Sequence, residues 1–214
     1  MTSLPPSLGT TCPLCSTQGE PFSGDAFLSC PTCGGIFRPP EGRPLPKDEK
    51  ARYEEHNNDV NDEGYRQFVK PITSRILSTY EHGAKGLDFG SGTGPVISVV
   101  LEEAGYDITQ YDPFFRDDRA ALDRQYDYIA CCEVVEHFHD PASEFAHLHD
   151  LLLPGGRLYI MTYLYDESID FQGWHYQRDS THVFIFRETT MEWVAAEFGF
   201  SSVSVDGRVV VLRR

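Results

Sequence analysis

The sequence is poor in positive charge. Eighteen lysines and arginines face 33 aspartates and glutamates, a formal net charge of −15 over 214 residues. A chain of that sign repels phosphate backbones, so a sequence-independent grip on nucleic acid is not expected. An anionic membrane leaflet is a poor partner for the same reason. Long apolar runs are missing too: none reaches the roughly 18 residues of a membrane span. The opening stretch, MTSLPPSLGTTCPLC, lacks a basic start and an apolar core. No signal peptide is expected there, and the expected compartment is the cytoplasm. Internal repeats are absent, and low complexity is confined to one proline-rich stretch. What remains is 40% hydrophobic and 13% aromatic, the composition of a folded chain with a core of ordinary size.

Cysteine is scarce but patterned. Four of the six cysteines form two C-x-x-C pairs, Cys12 with Cys15 and Cys30 with Cys33; Cys131 and Cys132 stand far downstream. In a chain expected to stay in a reducing compartment, such pairs read as a zinc site rather than as disulfides. Four thiolates complete a tetrahedral shell, which makes the site structural. Gly34 and Gly35 permit a tight turn after the second knuckle. Residues 1–11 read as a flexible tail, 12–37 as a zinc ribbon, and 38–50, with their prolines, as a stiff linker. Residues 51–214 read as the main domain.

In that domain strands and helices alternate. Tyr65, Phe68, Val69, Ile72, Ile76 and Leu77 recur at helical steps over 62–80, with a bend expected at Pro71. A short strand then enters Asp88-Phe89-Gly90-Ser91-Gly92-Thr93-Gly94. Pro95 opens the next helix and Gly105 ends it. Residues 106–111 form a strand that finishes at Asp112, and 126–132 form a buried strand. Asp140 and Pro141 start a helix that reaches about Leu153. PGG stops it, RLYIMTYL is the next strand, and 188–198 form another helix. The terminal SSVSVDGRVVVLRR is a hairpin with Asp-Gly at its turn. The expected fold class is α/β, Rossmann-like, with a largely parallel sheet, helices on both faces and a terminal antiparallel hairpin, preceded by the small ribbon.

The glycine turn follows a strand and precedes a helix, where a backbone without side chains lets a ligand come close. Asp112 ends the next strand, where an acid can accept ribose hydroxyls. An acid at Asp88 would repel a pyrophosphate but suits a ligand that carries an ammonium and a sulfonium. On these residues, LDFGSGTGP, the acid of YDP, the strand YDYIACCEVVEHF and the later LLLPGGRLYIMT, the chain resembles class I S-adenosylmethionine-dependent methyltransferases over about residues 60–214. The resemblance implies S-adenosylmethionine as cofactor. It would be held by Asp88, Gly90, Gly92, Gly94 and Asp112, with Phe114 on the adenine and the Cys132 backbone nearby. Cys131 is expected to pack. One departure stands out: only 13 residues separate Asp112 from Tyr126, too few for a helix and a full further strand. Asp117, Asp118 and Asp123 have no assigned role.

Glu133-Val134-Val135-Glu136-His137 lies just past a buried strand, where open α/β sheets carry their chemistry. It is similar to the E-V-x-E-H segment of quinone-biosynthesis O-methyltransferases, and to a segment of enzymes that methylate the 3′-terminal ribose of small RNAs. The second likeness implies a divalent ion held by Glu133, Glu136, His137 and His182, beside the structural zinc. The alternative is that Glu136 caps a turn while His137 orders the cofactor loop. The stretch 173–182 has the length and aromatic content of a lid. Trp174 and Arg178 are candidate substrate contacts, and His137, His175 and His182 candidate general bases. His56, Asn57 and Asn58 read as a solvated helix start. The function these features imply is methyl transfer to oxygen or carbon of a small-molecule acceptor. Two alternatives stay open: an RNA methyltransferase that recognises substrate through the ribbon, and a non-catalytic interaction protein.

Overall fold

The computed structural model describes residues 10–24, 26–55 and 59–214; the expectations for residues 1–9 and for His56, Asn57 and Asn58 fall outside them. The described residues open with a cysteine knuckle and three short strands, β1 (Glu20–Ser23), β2 (Phe27–Ser29) and β3 (Ile36–Phe37). Helix α1 (Pro46–Glu54) opens on a proline, whose fixed φ and missing N–H suit a first helical turn. Helix α2 (Glu63–Thr79) is capped by Asp62, which accepts from the Tyr65 amide at 2.6 Å. It continues through Pro71 and buries Val69, Ile72 and Ile76.

Alternation follows: β4 (Lys85–Phe89), α3 (Val96–Glu103), β5 (Asp107–Tyr111), β6 (Tyr126–Cys132), α4 (Pro141–Asp150) and β7 (Leu152–Met161). After a long excursion come β8 (Phe184–Ile185), α5 (Glu188–Glu197), β9 (Ser202–Asp206) and β10 (Val209–Arg213). Six strands form the main sheet in the order β5-β4-β6-β7-β10-β9. It is parallel from β5 to β7, and β10 runs antiparallel to both of its neighbours. Burial explains why the last strand sits inside: Val209, Val210 and Leu212 are buried, while β9 alternates exposed and half-buried residues and takes the edge. Gly207, at φ 61°, makes the turn between them.

The sheet stops at β5. The short stretch after Asp112 holds an isolated bridge between Asp112 and Arg116 and a 3-10 turn over Arg119–Asp123, capped by Asp118. Side chains on β6 alternate between two cores. Tyr128 and Ala130 meet α2 and α3, whereas Ile129 and Cys131 face the cluster that includes Phe145 of α4 and Val194 of α5. Among the described residues no helix is long and apolar enough to cross a membrane.

Three expectations change. First, 38–50 is not an extended linker. It holds a 3-10 turn over Pro40–Gly42 and the start of α1, and Arg43 donates to the His139 carbonyl at 2.9 Å. Buried Glu49 accepts from His139 Nε2 at 2.9 Å. Prolines here set helix starts and turns rather than spacing. Second, the ribbon is not a separate module. Its sheet is completed by a strand from the far end of the chain, in the order β1-β2-β3-β8. Ile36 pairs with Ile185 and Phe37 with Phe184, and Leu28 and Phe37 lie in one core with Phe184 and Phe186. A two-residue strand has no periodicity to read, so β8 was invisible in the sequence. Third, β7 begins at Leu152 and passes through Pro154–Gly156 instead of starting after them.

Candidate active site

The glycine turn lies at the C-terminal ends of β4 and β5. Gly90 (φ 77°) and Gly92 (φ 65°) are both left-handed, which few other residues adopt cheaply. A Cβ on Gly90 would also overlap Val134. The amides of Gly90 and Ser91 donate to the Tyr111 carbonyl at 2.8 and 3.1 Å, and so pin the turn to β5. Asp112 is 7% exposed and tightly held: Oδ1 accepts from the Phe114 and Phe115 amides, and Oδ2 from the Gly92 amide at 2.9 Å. A carboxylate has about four lone-pair directions, so one is left for a ligand hydroxyl.

Asp88 is 3% exposed and accepts from Ser98 Oγ at 2.7 Å. Burial raises its pKa to about 6, opposed by the Ser98 hydroxyl and amide. It therefore ties β4 to α3 beneath the turn. Gly94 accepts from the Val96 amide, and Cys132 ends β6 in register with Met161. Phe114 is half-buried, its ring 5.7 Å from that of Tyr53 on α1.

Beyond β6 the chain turns sharply. Glu133 has φ 52°, a strained value for a residue with a side chain. Its carboxylate pairs with Arg208 from the β9–β10 turn, whose guanidinium lies 3.7 Å from the Tyr163 ring centroid. A 3-10 turn over Val135–His137 follows. Glu136 is fully buried. Its Oε1 accepts from the Tyr176 hydroxyl at 2.6 Å and its Oε2 from the Thr162 hydroxyl at 3.1 Å. Burial raises the pKa of both glutamates.

His137 and His182 come together, ring centroids 4.9 Å apart. Each is oriented by a backbone carbonyl: His137 Nδ1 lies 2.9 Å from the Thr181 oxygen, and His182 Nδ1 lies 2.7 Å from the Tyr176 oxygen. A ring that donates from Nδ1 keeps its lone pair on Nε2. Burial, with His137 beside it, lowers the His182 pKa to about 4, so it is neutral near pH 7. Ligand atoms of Glu136, His137 and His182 fall within 4.8 Å of one another. Glu133 is not in that group. The four-residue set expected from the sequence is therefore corrected to three by geometry: the Glu133 carboxylate turns to Arg208 instead.

His182 lines a cavity of about 410 Å³ with Arg52, His175, Tyr176, Arg178, Asp179 and Ser180. His175 and Arg178 are exposed at it. Trp174 instead packs into an aromatic cluster with Tyr165 and Phe171. Burial alone would raise Asp179, but the Thr181 hydroxyl and amide, His182 and Arg52 together hold its carboxyl well below the usual range. The sequence reading missed Tyr53, Thr162, Tyr176, Arg38 and Arg208. Single aromatic, hydroxyl and arginine residues carry no spacing signal.

At the ribbon, the sulfurs of Cys12, Cys15, Cys30 and Cys33 lie within 4.8 Å of one another. Cys12 and Cys33 are 3.6 Å apart, Cys15 and Cys30 3.2 Å. Zinc–sulfur bonds near 2.3 Å would set the edges of a tetrahedron at about 3.8 Å, so the four thiols fit such an ion. No cysteine among the described residues is in a disulfide.

Residues 62–205 match the family described as methyltransferase domain. This chain belongs to that family. Among curated proteins it is similar to the ubiquinone biosynthesis O-methyltransferase of Aeromonas salmonicida, 35% identical over 92 residues, which is 42% of this chain and 38% of that protein. Its counterpart from Ruegeria pomeroyi is 38% identical over 71 residues, 33% of this chain and 28% of that protein. The chain thus matches well under half the length of these relatives. Among solved structures, the Burkholderia thailandensis 1,6-didemethyltoxoflavin N1-methyltransferase, with 1,6-didemethyltoxoflavin and S-adenosylhomocysteine bound, gives a TM-score of 0.57 at 17% identity. That match covers 84% of this chain and 95% of that one. Magnesium protoporphyrin IX methyltransferase from Synechocystis, with S-adenosylhomocysteine bound, gives 0.53 at 17% identity over 78% and 94%. At that identity the likeness is one of fold: the α/β methyltransferase sheet expected from the sequence is the one present.

Proposed function

We propose that this methyltransferase-family chain moves a methyl group from S-adenosylmethionine to an oxygen or carbon of a small-molecule acceptor. The observation that carries the reading is the juxtaposition of two built sites at one sheet end. One is the left-handed glycine turn with Asp112 held by three amides; the other is a neutral His182 facing a cavity. When bound, S-adenosylmethionine supplies a methyl on a sulfonium leaving group. Asp112 is assigned a ribose hydroxyl, Phe114 the adenine face, and Gly90, Gly92 and Gly94 the close backbone approach. Asp88 acts from beneath the turn, which it fastens through Ser98.

His182 takes the acceptor proton on Nε2 as the new bond to the methyl carbon forms, and the Tyr176 carbonyl stabilises the charged ring through Nδ1–H. His137 and His175 are the neighbouring bases. Arg178, exposed at the cavity of an otherwise acidic chain, suits an acceptor with an acidic group, whereas Arg52 is already paired with Asp179 and Glu55. The four ribbon cysteines are assigned a structural zinc. The reading is tested by isothermal titration with S-adenosylmethionine and by transfer of a labelled methyl group to a panel of phenolic and carboxylated acceptors. Absence of cofactor binding ends it.

A second reading rests on the grouping of Glu136, His137 and His182, which can hold a divalent cation beside an acceptor hydroxyl. The two hydroxyls that already donate to Glu136 weigh against it. Turnover that disappears in EDTA and returns with Mg²⁺ or Mn²⁺ would favour the cation; full turnover in EDTA leaves the imidazole base.

A further inference from the structure

The loop that carries His182 is held from a distance. Arg38 is the first residue after β3, and its amide donates to the Val183 carbonyl at 2.9 Å. Its guanidinium donates to three more carbonyls of the same loop: Gln177 at 2.7 Å, Asp179 at 3.4 Å and His182 at 3.1 Å. The guanidinium carbon lies 4.2 Å from the Phe27 ring centroid, on the ribbon. A planar fork with five donors can satisfy several carbonyls that no strand pairs, which a single ammonium cannot do. Half-buried carbonyls left without donors would turn toward water and open the loop.

The loop fixes the imidazole. The His182 amide donates to the Asp179 carbonyl and its Nδ1 to the Tyr176 carbonyl, so both anchors of the ring belong to the segment that Arg38 grips. Arg38 in turn is fixed by the ribbon. Phe37 beside it pairs with Leu28 of β2 and Phe184 of β8, and β2 and β3 flank the knuckle of Cys30 and Cys33. Gly35 lies so close to Phe184 that a Cβ there would overlap the ring. On the opposite side, Arg52 of α1 pairs with Asp179 at 3.0 Å.

We propose that Arg38 is a positioning residue for His182, and that the four-cysteine ribbon serves to hold this arginine in register with the acceptor loop. This rests on the reading of His182 as the base for methyl transfer. The ribbon is thereby part of the acceptor site rather than a recognition module for a separate partner.

The experiment uses the full chain labelled with ¹⁵N-histidine. In the parent, long-range ¹⁵N–¹H spectra should show His182 as a single Nδ1–H tautomer. In Arg38→Met, which keeps the stem without donors, the tautomer should become mixed. Amide exchange over 177–183 should accelerate about tenfold or more, the scale of losing charge-assisted hydrogen bonds. Metal content should stay at the parent value, and S-adenosylhomocysteine affinity should stay within about twofold, as for distant independent sites. Should Arg38→Met fail to fold, Arg38→Lys decides: the cation over Phe27 persists but the fork is gone, and the loop amides should still exchange faster. Cys33→Ser, which removes the ribbon metal without touching Glu136, His137 or His182, should give the same mixed tautomer. A His182 tautomer and loop exchange unchanged in the folded Arg38 variant overturns the role of Arg38; both unchanged in metal-free protein overturns the role of the ribbon. The cofactor titration is separate. A parent that binds no S-adenosylhomocysteine refutes the methyl-transfer reading while the loop result stands.

Discussion

In the half of the site proposed for the cofactor, Gly92 and the Asp112 that holds it lie 20 positions apart, whereas in the half proposed for the acceptor Arg38 and His182 lie 144 positions apart. The first half is one strand–turn–helix–strand passage, whose chemistry and geometry are written side by side. The second is put together from a ribbon strand, a short helix, the turn after β6 and a long loop after β7. A local unit can hold its shape through its own turns and caps. A unit assembled from distant segments holds only while every segment is docked, so its weak points lie far from its chemistry.

The sharpest way to break that contrast is at the four cysteines. Cys33→Ser should abolish stoichiometric zinc and lower the single thermal transition by about 10 °C or more, the effect of losing a few kcal/mol in a domain this size. Exchange should accelerate both over 27–38 and over 176–186, while the amides of β4 to β6 stay protected. Two resolved transitions, with the loop still protected, would show that the ribbon is independent after all.

Next in size is Gly90→Ala. A Cβ at φ 77° that also overlaps Val134 should cost about 2–5 kcal/mol in denaturant melts. It should remove cofactor binding and leave the His182 tautomer in place; a calorimetric affinity equal to the parent would refute the assignment of the turn. Asp112→Ala should weaken S-adenosylmethionine by about 1.5–3 kcal/mol, the scale of charge-assisted hydrogen bonds. Titration calorimetry reads this directly, and an unchanged affinity would remove the ribose from the account.

The smallest effect is one of pH, and the two halves should respond with opposite sign. Asp88 has its pKa raised to about 6, so its stability is fully present below its ordinary 3.8 and is lost as pH rises through 6. His182 has its pKa lowered to about 4, so its stability is present above 6.5 and is lost as pH falls through 4. Asp88→Asn should therefore gain on the parent in melting temperature between pH 4 and 6 as pH rises. His182→Gln should gain on it as pH falls over about the same range. Equal slopes for the two variants would contradict both burial arguments.

The geometry of the glycine turn and its acid was legible because these residues are special types at short spacing. Gly90 and Gly92 need a left-handed backbone, and Asp112 follows at a strand end; both requirements survive in a one-dimensional string. The same holds for the Cys12–Cys15 and Cys30–Cys33 pairs, whose sulfurs do converge, and for the Asp140 cap, which accepts from the Ser143 amide. The shortened passage from Asp112 to Tyr126 predicted a missing strand, since 13 residues are too few for one and its helix, and the sheet indeed ends at β5.

The acceptor half was not legible in that way. Glu133 and Glu136 lie three positions apart in one short segment, yet Arg208 takes one and the Tyr176 and Thr162 hydroxyls take the other. Nothing in the spacing of E-V-V-E-H says which carboxylate meets the histidines. The sequence alone determined the α/β class, the glycine turn, the acid at its partner strand and the cysteine quartet. Each of these depends on what a few neighbouring residues can adopt. Only the tertiary structure decided that β8 completes the ribbon, that Arg38 grips the loop of His182 and that the proline-rich segment is a docked helix start. Those outcomes depend on which buried carbonyls, rings and carboxylates find a partner across the fold, and a partner 144 positions away leaves no local trace.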